Sequence, residues 1–480
     1  MGLVVGIDLI VLAVLVGTIL AKGLEDALPV AAFFCVLVPP AARLPLGGIF
    51  ELSPQRIILL VLLGGFALWR RPAAQVKSTP LKWLIAAQVV WALVSTADSI
   101  VPEASAKKLL AEVLEYYLLY IIYVRTVSSV RTIYRILYAF ICALFICSIF
   151  GDIDAYLGWD VMSIFPSQSS RIMLALGLTA SRGRVASTFP HPILFGTALA
   201  LGITIALHLL KTAKLPRAAF LWSAILLMFM NIYKTRSRGA WLGLILALVM
   251  LLVLERGKVR KYILVIGALT VFVLVVRPGV YQSLMDIYRA SFDAKWGNLE
   301  GLSVDYRFEL RRVAQAALAR DFRRQLWGYG MESFVDLQLE GELGGHRFPF
   351  LSCDSAWLEL MVETGYVGLF LIAILLLRPA FLAWKDFRRL PHKDRSLSLT
   401  LLVTLTVYYF MMLSVDMYGW GQEANMLWIL IAMSIVYSRL GKTNPRPDTM
   451  SVSGPEPDTT LAENSSRSDA VLILDERVQC

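Results

Sequence analysis

The sequence predicts an all-α polytopic membrane protein of about 12–13 transmembrane helices with a long, partly helical loop inserted among them. Two observations carry this prediction. Of the 480 residues, 57% are hydrophobic and 17% are charged, and the mean hydropathy is +0.65, which is far from the composition of soluble globular proteins. Apolar runs of about 17–25 residues also recur, and each is long enough to cross a hydrocarbon core of about 30 Å.

The apolar runs can be placed one by one. Their centres lie at about residues 11, 34, 62, 89, 117, 141, 201, 225, 247, 269, 373, 405 and 431. The first run, GLVVGIDLIVLAVLVGTILA, has no basic leader and no small-residue cleavage site, so we expect it to remain as a helix. Together these runs define a predicted transmembrane region over residues 1–440.

Basic connections predict the orientation. WRRPAAQVK, VRTVSSVRTIYR, KTAKLPR, ERGKVRK and KDFRRLPHKDR fall at every other gap, as the positive-inside rule requires of cytoplasmic loops. We therefore expect a multi-pass membrane protein with its N-terminus outside and its C-terminus in the cytoplasm. The two long connections, residues 151–189 and 278–355, are then on the outer side. Residues 441–480 are rich in Pro, Ser, Thr and acids, which predicts a disordered cytoplasmic tail.

Composition argues against several kinds of site and partner. The cysteines and histidines are dispersed, without a CxxC or HExxH pattern, so we expect no disulfide framework, no metal site and no cofactor. The net charge of +10 could suggest nucleic acid. In a chain of this kind, however, Lys and Arg mostly set topology at anionic membrane surfaces. The lipid bilayer is therefore an expected partner and nucleic acid is not.

One short connection breaks the charge rule. KTRSRGAW places Lys234, Arg236 and Arg238 in a turn that the topology puts outside. Arg238 begins a helix, where its guanidinium and the free N–H groups of the first turn can bind an anion such as a phosphate. The alternative is that these cations anchor to lipid headgroups. We assign Arg238 to the anion and Lys234 and Arg236 to headgroups.

Two further segments place arginines on the same side. SRGRVASTFPHPILFG contains Arg184 shortly before an apolar run, and its His191 between two prolines suggests a structural role. In DYRFELRRVAQAALARDFRRQLWGYG, helical spacing puts Tyr306, Leu310, Val313 and Ala317 on one face and Arg307 and Arg311 on another. Such a helix can lie on the membrane surface, or Arg307 can turn inward to a phosphate.

The loop ends in HRFPFLSCDSAWLELMVETGYVGLF. Asp354 or Ser355 would cap the next helix, and Gly365 and Gly368 would let that helix bend. A carboxylate at Asp354 could instead orient the arginines or accept a proton from an attacking hydroxyl. Capping and catalysis remain alternatives for this residue.

These segments, in this order, resemble the superfamily of bacterial O-antigen ligases and O-antigen polymerases. The resemblance rests on GRVASTFPHP, SRGAWLGL, the helix with Arg307, WGYGMESF and DSAWLELMVETGYVGLF, from about residue 180 to 375. It implies a metal-independent, C-type membrane glycosyltransferase at the periplasmic face of the bacterial inner membrane, whose donor is a glycan on undecaprenyl diphosphate. The outer side predicted above, with the N-terminus and the long loop 278–355, would then be the periplasm. It assigns Arg184, Arg238 and Arg307 to the diphosphate. Further partners that it implies are a glycan acceptor, a flippase and chain-length or export proteins.

The resemblance departs at one position. Ligases of the superfamily carry a histidine at the start of the last motif, as the proposed base, and here that position is Asp354. Asp354, or with less support His346 upstream, would act as the base. The change favours a polymerase in exopolysaccharide or O-antigen synthesis over a ligase that transfers glycan to lipid A–core or another acceptor.

A third hypothesis is a transporter of polysaccharide or lipid-linked sugar. Transporters place charges near the membrane midplane. The acidic residues of the apolar runs instead lie mostly near predicted ends, as for Glu112, Glu115, Glu363, Asp416 and Glu423. We therefore rank transport below glycosyl transfer.

Overall fold

A computed structural model describes residues 2–45, 51–68, 79–165, 184–255, 257–290, 299–391, 394–419 and 421–443. Its helices, labelled in chain order, are α1 Gly2–Lys22, α2 Leu24–Leu37, α3 Pro54–Leu68, α4 Lys82–Ala97, α5 Pro102–Glu112, α6 Leu118–Thr126, α7 Val130–Leu157, α8 Pro192–Leu209, α9 Leu215–Thr235, α10 Arg238–Leu254, α11 Lys258–Val276, α12 Pro278–Ala290, α13 Leu299–Ala319, α14 Phe322–Trp327, α15 Ala356–Arg389, α16 Arg395–Met411 and α17 Gly421–Thr443. A π-helical segment, Val113–Tyr117, joins α5 to α6.

The prediction of an all-α polytopic membrane protein is confirmed. Within the described residues, seven helices are long and apolar enough to span a bilayer, namely Gly2–Lys22, Val130–Leu157, Pro192–Leu209, Leu215–Thr235, Lys258–Val276, Ala356–Arg389 and Gly421–Gly441. Four shorter apolar helices, α3, α4, α10 and α16, coincide with predicted spans. The remaining two predicted spans coincide with α2 and with the α5–α6 segment. The total of 12–13 membrane crossings stays a prediction, as do the domain limits. Beyond residue 443, the predicted tail lies outside the described residues.

The centre of the bundle is α8. Proline at its first position and the His191 side chain, which accepts a hydrogen bond from Ile193 N, define its start. Nearly all of its residues are buried, and α7, α9, α10 and α16 pack around it. By contrast, α11 is exposed along most of its length, as expected of a helix that faces lipid.

Residues 299–355, which lie before α15, form a small folded unit. Strands Glu340–Leu343 (β3) and His346–Pro349 (β4) pair antiparallel, and α13 packs against β3. Its helical face is the one predicted, since Leu310 and Ala317 are buried beside Phe350, with Tyr306 and Val313 packed against them. The rings of Tyr306 and Phe350 meet edge to face, with their centroids 5.0 Å apart, and complete this second core. A second antiparallel pairing in the described residues, two residues long, joins β1 (Leu44–Pro45) to β2 (Glu51–Leu52).

The helix α15 is broken at Gly365, where φ is 69° and ψ is −176°. The break frees carbonyl groups that lie within a candidate span, where each needs a partner. Tyr329 N and Gly330 N donate to the carbonyls of Val362 and Glu363, both at 2.9 Å. Ser95 Oγ also donates to the Glu363 carbonyl at 2.7 Å. The bend predicted from Gly365 is confirmed, and it is the place where the folded loop joins the bundle.

Candidate functional site

The turn KTRSRGAW connects α9 to α10 within three residues. Arg236 adopts the left-handed conformation with φ of 47° and is exposed. Ser237 caps α10, its side chain accepting a hydrogen bond from Ala240 N at 3.3 Å. Arg238 is the first residue of α10 and is half-buried. The predicted position of Arg238 at a helix start is therefore confirmed.

Lys234 does not anchor to headgroups, and that interpretation was wrong. Its Nζ lies 2.6 Å from Asp152 Oδ1 and 3.9 Å from the ring centroid of Tyr156. Its side chain is only 13% exposed. A carboxylate and an aromatic face on α7 therefore hold this cation inside the bundle.

Arg184 lies against the same turn. Its Nε donates to the Thr235 carbonyl at 2.8 Å, and Val185 N donates to the Lys234 carbonyl at 3.2 Å. The nearby His191 caps α8, as its structural interpretation predicted. Burial, together with the Arg184 charge, lowers the pKa of His191 to about 4. The imidazole is thus neutral at neutral pH, which keeps the cationic charge here on arginine.

Arg307 turns inward from α13. Its Nη2 lies 3.6 Å from Asp354 Oδ2 and 3.4 Å from the Ser414 carbonyl. The two side chains are 30% and 39% exposed, so the ion pair remains open to a ligand. Arg311, one turn further along α13, is exposed. Of the two predicted positions for this helix, the structure shows the one with Arg307 directed into the protein.

Asp354 is not the helix cap. Ser355 takes that role, accepting a hydrogen bond from Leu358 N at 3.4 Å. Burial raises the pKa of Asp354, while the positive charge of Arg307 lowers it. The carboxyl group is therefore left for the arginine and for whatever binds beside it.

His346 occupies a different place. It is the first residue of β4, pairs with Leu343 across the Gly344–Gly345 turn, and is exposed. The structure brings Asp354, not His346, into the ion pair with Arg307. Whether His346 takes part in chemistry stays a prediction.

The turn that follows α16 brings these segments together, and sequence reasoning missed it. Ser414 receives Arg307 at its carbonyl, and a Cβ placed on Gly239 would lie 3.3 Å from Ser414 Oγ. Ser355 Oγ donates to the Met412 carbonyl at 3.2 Å. Arg238, Arg307 and Asp354 therefore border one turn. The signal that was available is DMYG, because Asp three residues before Gly favours a turn.

Across this turn from the arginines lies a second charged group. Lys108 Nζ pairs with Glu332 Oε2 at 3.0 Å, and Glu332 N donates to Glu363 Oε1 at 2.6 Å. Glu332 belongs to the predicted motif WGYGMESF, and Glu363 to the last motif. The contacts show that these two motifs are joined to each other and to α5.

Comparison with known proteins matches this region. The family model described as O-antigen ligase matches residues 223–373. That range contains Arg238, Arg307 and Asp354, whereas Arg184 lies before it. No curated protein matches the chain.

Proposed function

This chain belongs to the superfamily of O-antigen ligases and polymerases, and we propose that it is a membrane glycosyltransferase that polymerises undecaprenyl-diphosphate-linked oligosaccharide repeat units. The proposed location is the periplasmic face of the bacterial inner membrane. The product would be an exopolysaccharide or an O-antigen. The proposed partners are the carrier-linked donor, a glycan acceptor, and the flippase and chain-length or export proteins of the same pathway.

The convergence of arginines on neighbouring turns is the observation that carries the proposal. Arg184 contacts the Thr235 carbonyl, which lies three residues before Arg238, and Arg307 reaches the next turn at Ser414. A diphosphate leaving group gains negative charge as its bond to the sugar breaks. Guanidinium groups suit it, because their planar forks of donors match phosphate oxygens. Charge stabilisation of this kind accelerates departure of the leaving group.

In the proposed reaction, Asp354 is the base that activates the acceptor hydroxyl. The acceptor hydroxyl oxygen attacks the anomeric carbon, the bond from that carbon to the diphosphate breaks, and the hydroxyl proton passes to the Asp354 carboxylate. The 3.6 Å pair of Asp354 and Arg307 supports this proposal, because the proposed base then lies beside a proposed ligand of the leaving group. His346 is the less favoured candidate for the same role because it lies at the exposed end of the hairpin.

The test is polymerisation of carrier-linked glycan by purified protein in detergent. Arg238→Ala and Arg238→Lys should abolish polymer formation while the protein stays folded, because neither side chain offers the bidentate fork. The matched control is Arg311→Ala, an exposed arginine that should leave the rate within about twofold. Normal polymer length with Arg238→Ala would overturn the assignment.

Loss of the gene separates the polymerase from its rivals. A polymerase loss should leave single repeat units, whereas a ligase loss should leave long carrier-linked polymer. Polymerisation in detergent, with no sealed compartment, would also exclude transport as the whole function. Long carrier-linked polymer in the deletion strain would replace our proposal with the ligase.

A further inference from the structure

The turn after α16 is stabilised by hydrogen bonds between one of its own side chains and its backbone. Asp416 Oδ1 accepts hydrogen bonds from the backbone N–H groups of Tyr418 and Gly419, at 3.2 and 3.4 Å. This is the arrangement in which an aspartate side chain imitates a backbone turn. The side chain thereby fixes the path of the chain between α16 and α17.

The other carboxylate oxygen of Asp416 faces the group around Lys108. A Cβ placed on Gly419 would lie 3.1 Å from Asp416 Oδ2 and 3.2 Å from Lys108 Nζ, so these two atoms flank the same point. Burial raises the pKa of Asp416, and Lys108 together with the two backbone N–H groups lowers it. Further carboxyl groups surround the pair, from Glu359, Glu363 and Glu332.

The same turn holds the candidate site on its other side. Three of its carbonyl groups accept hydrogen bonds from that site: Met412 from Ser355 Oγ, Ser414 from Arg307 Nη2 and Val415 from Ala356 N. Any change in the path of this turn moves the acceptors that Arg307 and the start of α15 use. Asp354 lies two residues before that start.

We propose that Asp416 is a positioning residue for the proposed transfer reaction, acting through its Asx turn on Arg307 and Asp354. The inference rests on the proposed function for its substrate. It assigns to Asp416 the shape of the turn, because its Oδ1 accepts hydrogen bonds from two backbone N–H groups, while the rest of the carboxyl group faces Lys108 and Glu359. The residues that would touch the diphosphate remain the arginines.

Two substitutions of Asp416 can distinguish an effect of its hydrogen bonds on the turn from an effect of its negative charge. Asn keeps a carbonyl oxygen that accepts both backbone N–H groups, whereas Ala keeps none. We expect Asp416→Asn to retain transfer within about tenfold, because the turn persists. We expect Asp416→Ala to lower kcat/KM by about 100-fold, a loss that corresponds to about 2.8 kcal/mol. The lower value should come with weaker binding of undecaprenyl diphosphate.

Two measurements on the full-length protein in detergent provide the test: binding of undecaprenyl diphosphate, and transfer with carrier-linked glycan. Thermal unfolding of each variant shows that it is folded. If Asp416→Asn and Asp416→Ala lose activity equally, the charge of Asp416 matters and the positioning role is wrong. If both variants match the wild type, the turn has no such role. If the wild type itself binds no diphosphate, the proposed function fails instead.

Discussion

Gly328 offers the sharpest test of how the loop joins the bundle. Its φ is 75° and its ψ is −160°, a region that only glycine adopts readily. A Cβ at this position would lie 2.4 Å from the carbonyl carbon and oxygen of Glu363. These are backbone atoms, so they cannot rotate away. Gly328→Ala must therefore separate the loop from α15.

The free-energy cost of Gly328→Ala can be worked out from the strain of the docked backbone and the hydrogen bonds that are lost when the loop separates from α15. The backbone conformation costs alanine about 2 kcal/mol. The two hydrogen bonds from Tyr329 N and Gly330 N to α15 contribute about 1 kcal/mol each. Together the change is about 4 kcal/mol, which raises the ratio of released to docked loop by about 1000-fold.

Limited trypsin digestion after Arg320 and Arg323 measures this release. The matched control is Gly345→Ala, because Gly345 also has a positive φ, 83°, but an added Cβ there would meet no atom within 4 Å. We expect Gly328→Ala to be cleaved far faster than Gly345→Ala. Equal cleavage of the two variants would refute the argument that the close approach to Glu363 decides docking.

Two other predictions concern charged pairs. Burial raises the pKa of Asp354 by more than the charge of Arg307 lowers it. If transfer needs the Asp354 carboxylate, the transfer rate should therefore increase with pH, with a midpoint above the ordinary pKa of an aspartate. Asp354→Asn should remove that rise in a kcat/KM profile from about pH 4 to 8; an unchanged profile would assign the rise to another group. Lys234→Met should lower the free energy of unfolding by about 2 kcal/mol, because it leaves Asp152 without its 2.6 Å partner. Thermal unfolding in detergent should show a lower midpoint, partly restored by adding Asp152→Asn; an unchanged midpoint would contradict the buried ion pair.

Local sequence patterns predicted the features that depend on local spacing. The 3.6-residue period separated Arg307 from the apolar face of α13, and Gly365 indicated the break in α15. Both follow from interactions between residues that are close in the chain. That period did not determine whether Arg307 faces the membrane surface or the interior of the protein.

Contacts between distant segments could not be predicted in this way. Lys234 looked like a headgroup anchor because its partner, Asp152, lies on α7 in another part of the sequence. Asp354 had two possible roles until Ser355 was seen to cap the helix. The turn at Ser414 escaped notice because its importance comes from Arg307 and Ser355, which reach it only in the folded chain.

The enclosure of α8 also bears on how the protein is made. Its apolar sequence is suited to enter the bilayer as soon as it is synthesised, yet its Ile- and Leu-rich surface finally contacts other helices rather than lipid. One of these, α16, lies far along the chain, and its Ser396 Oγ is 3.1 Å from His208 Nδ1. During translation the part of α8 that α16 covers therefore stays uncovered until α16 is synthesised. Assembly of this bundle is completed from its C-terminal end, so truncated chains should leave its central helix open to lipid.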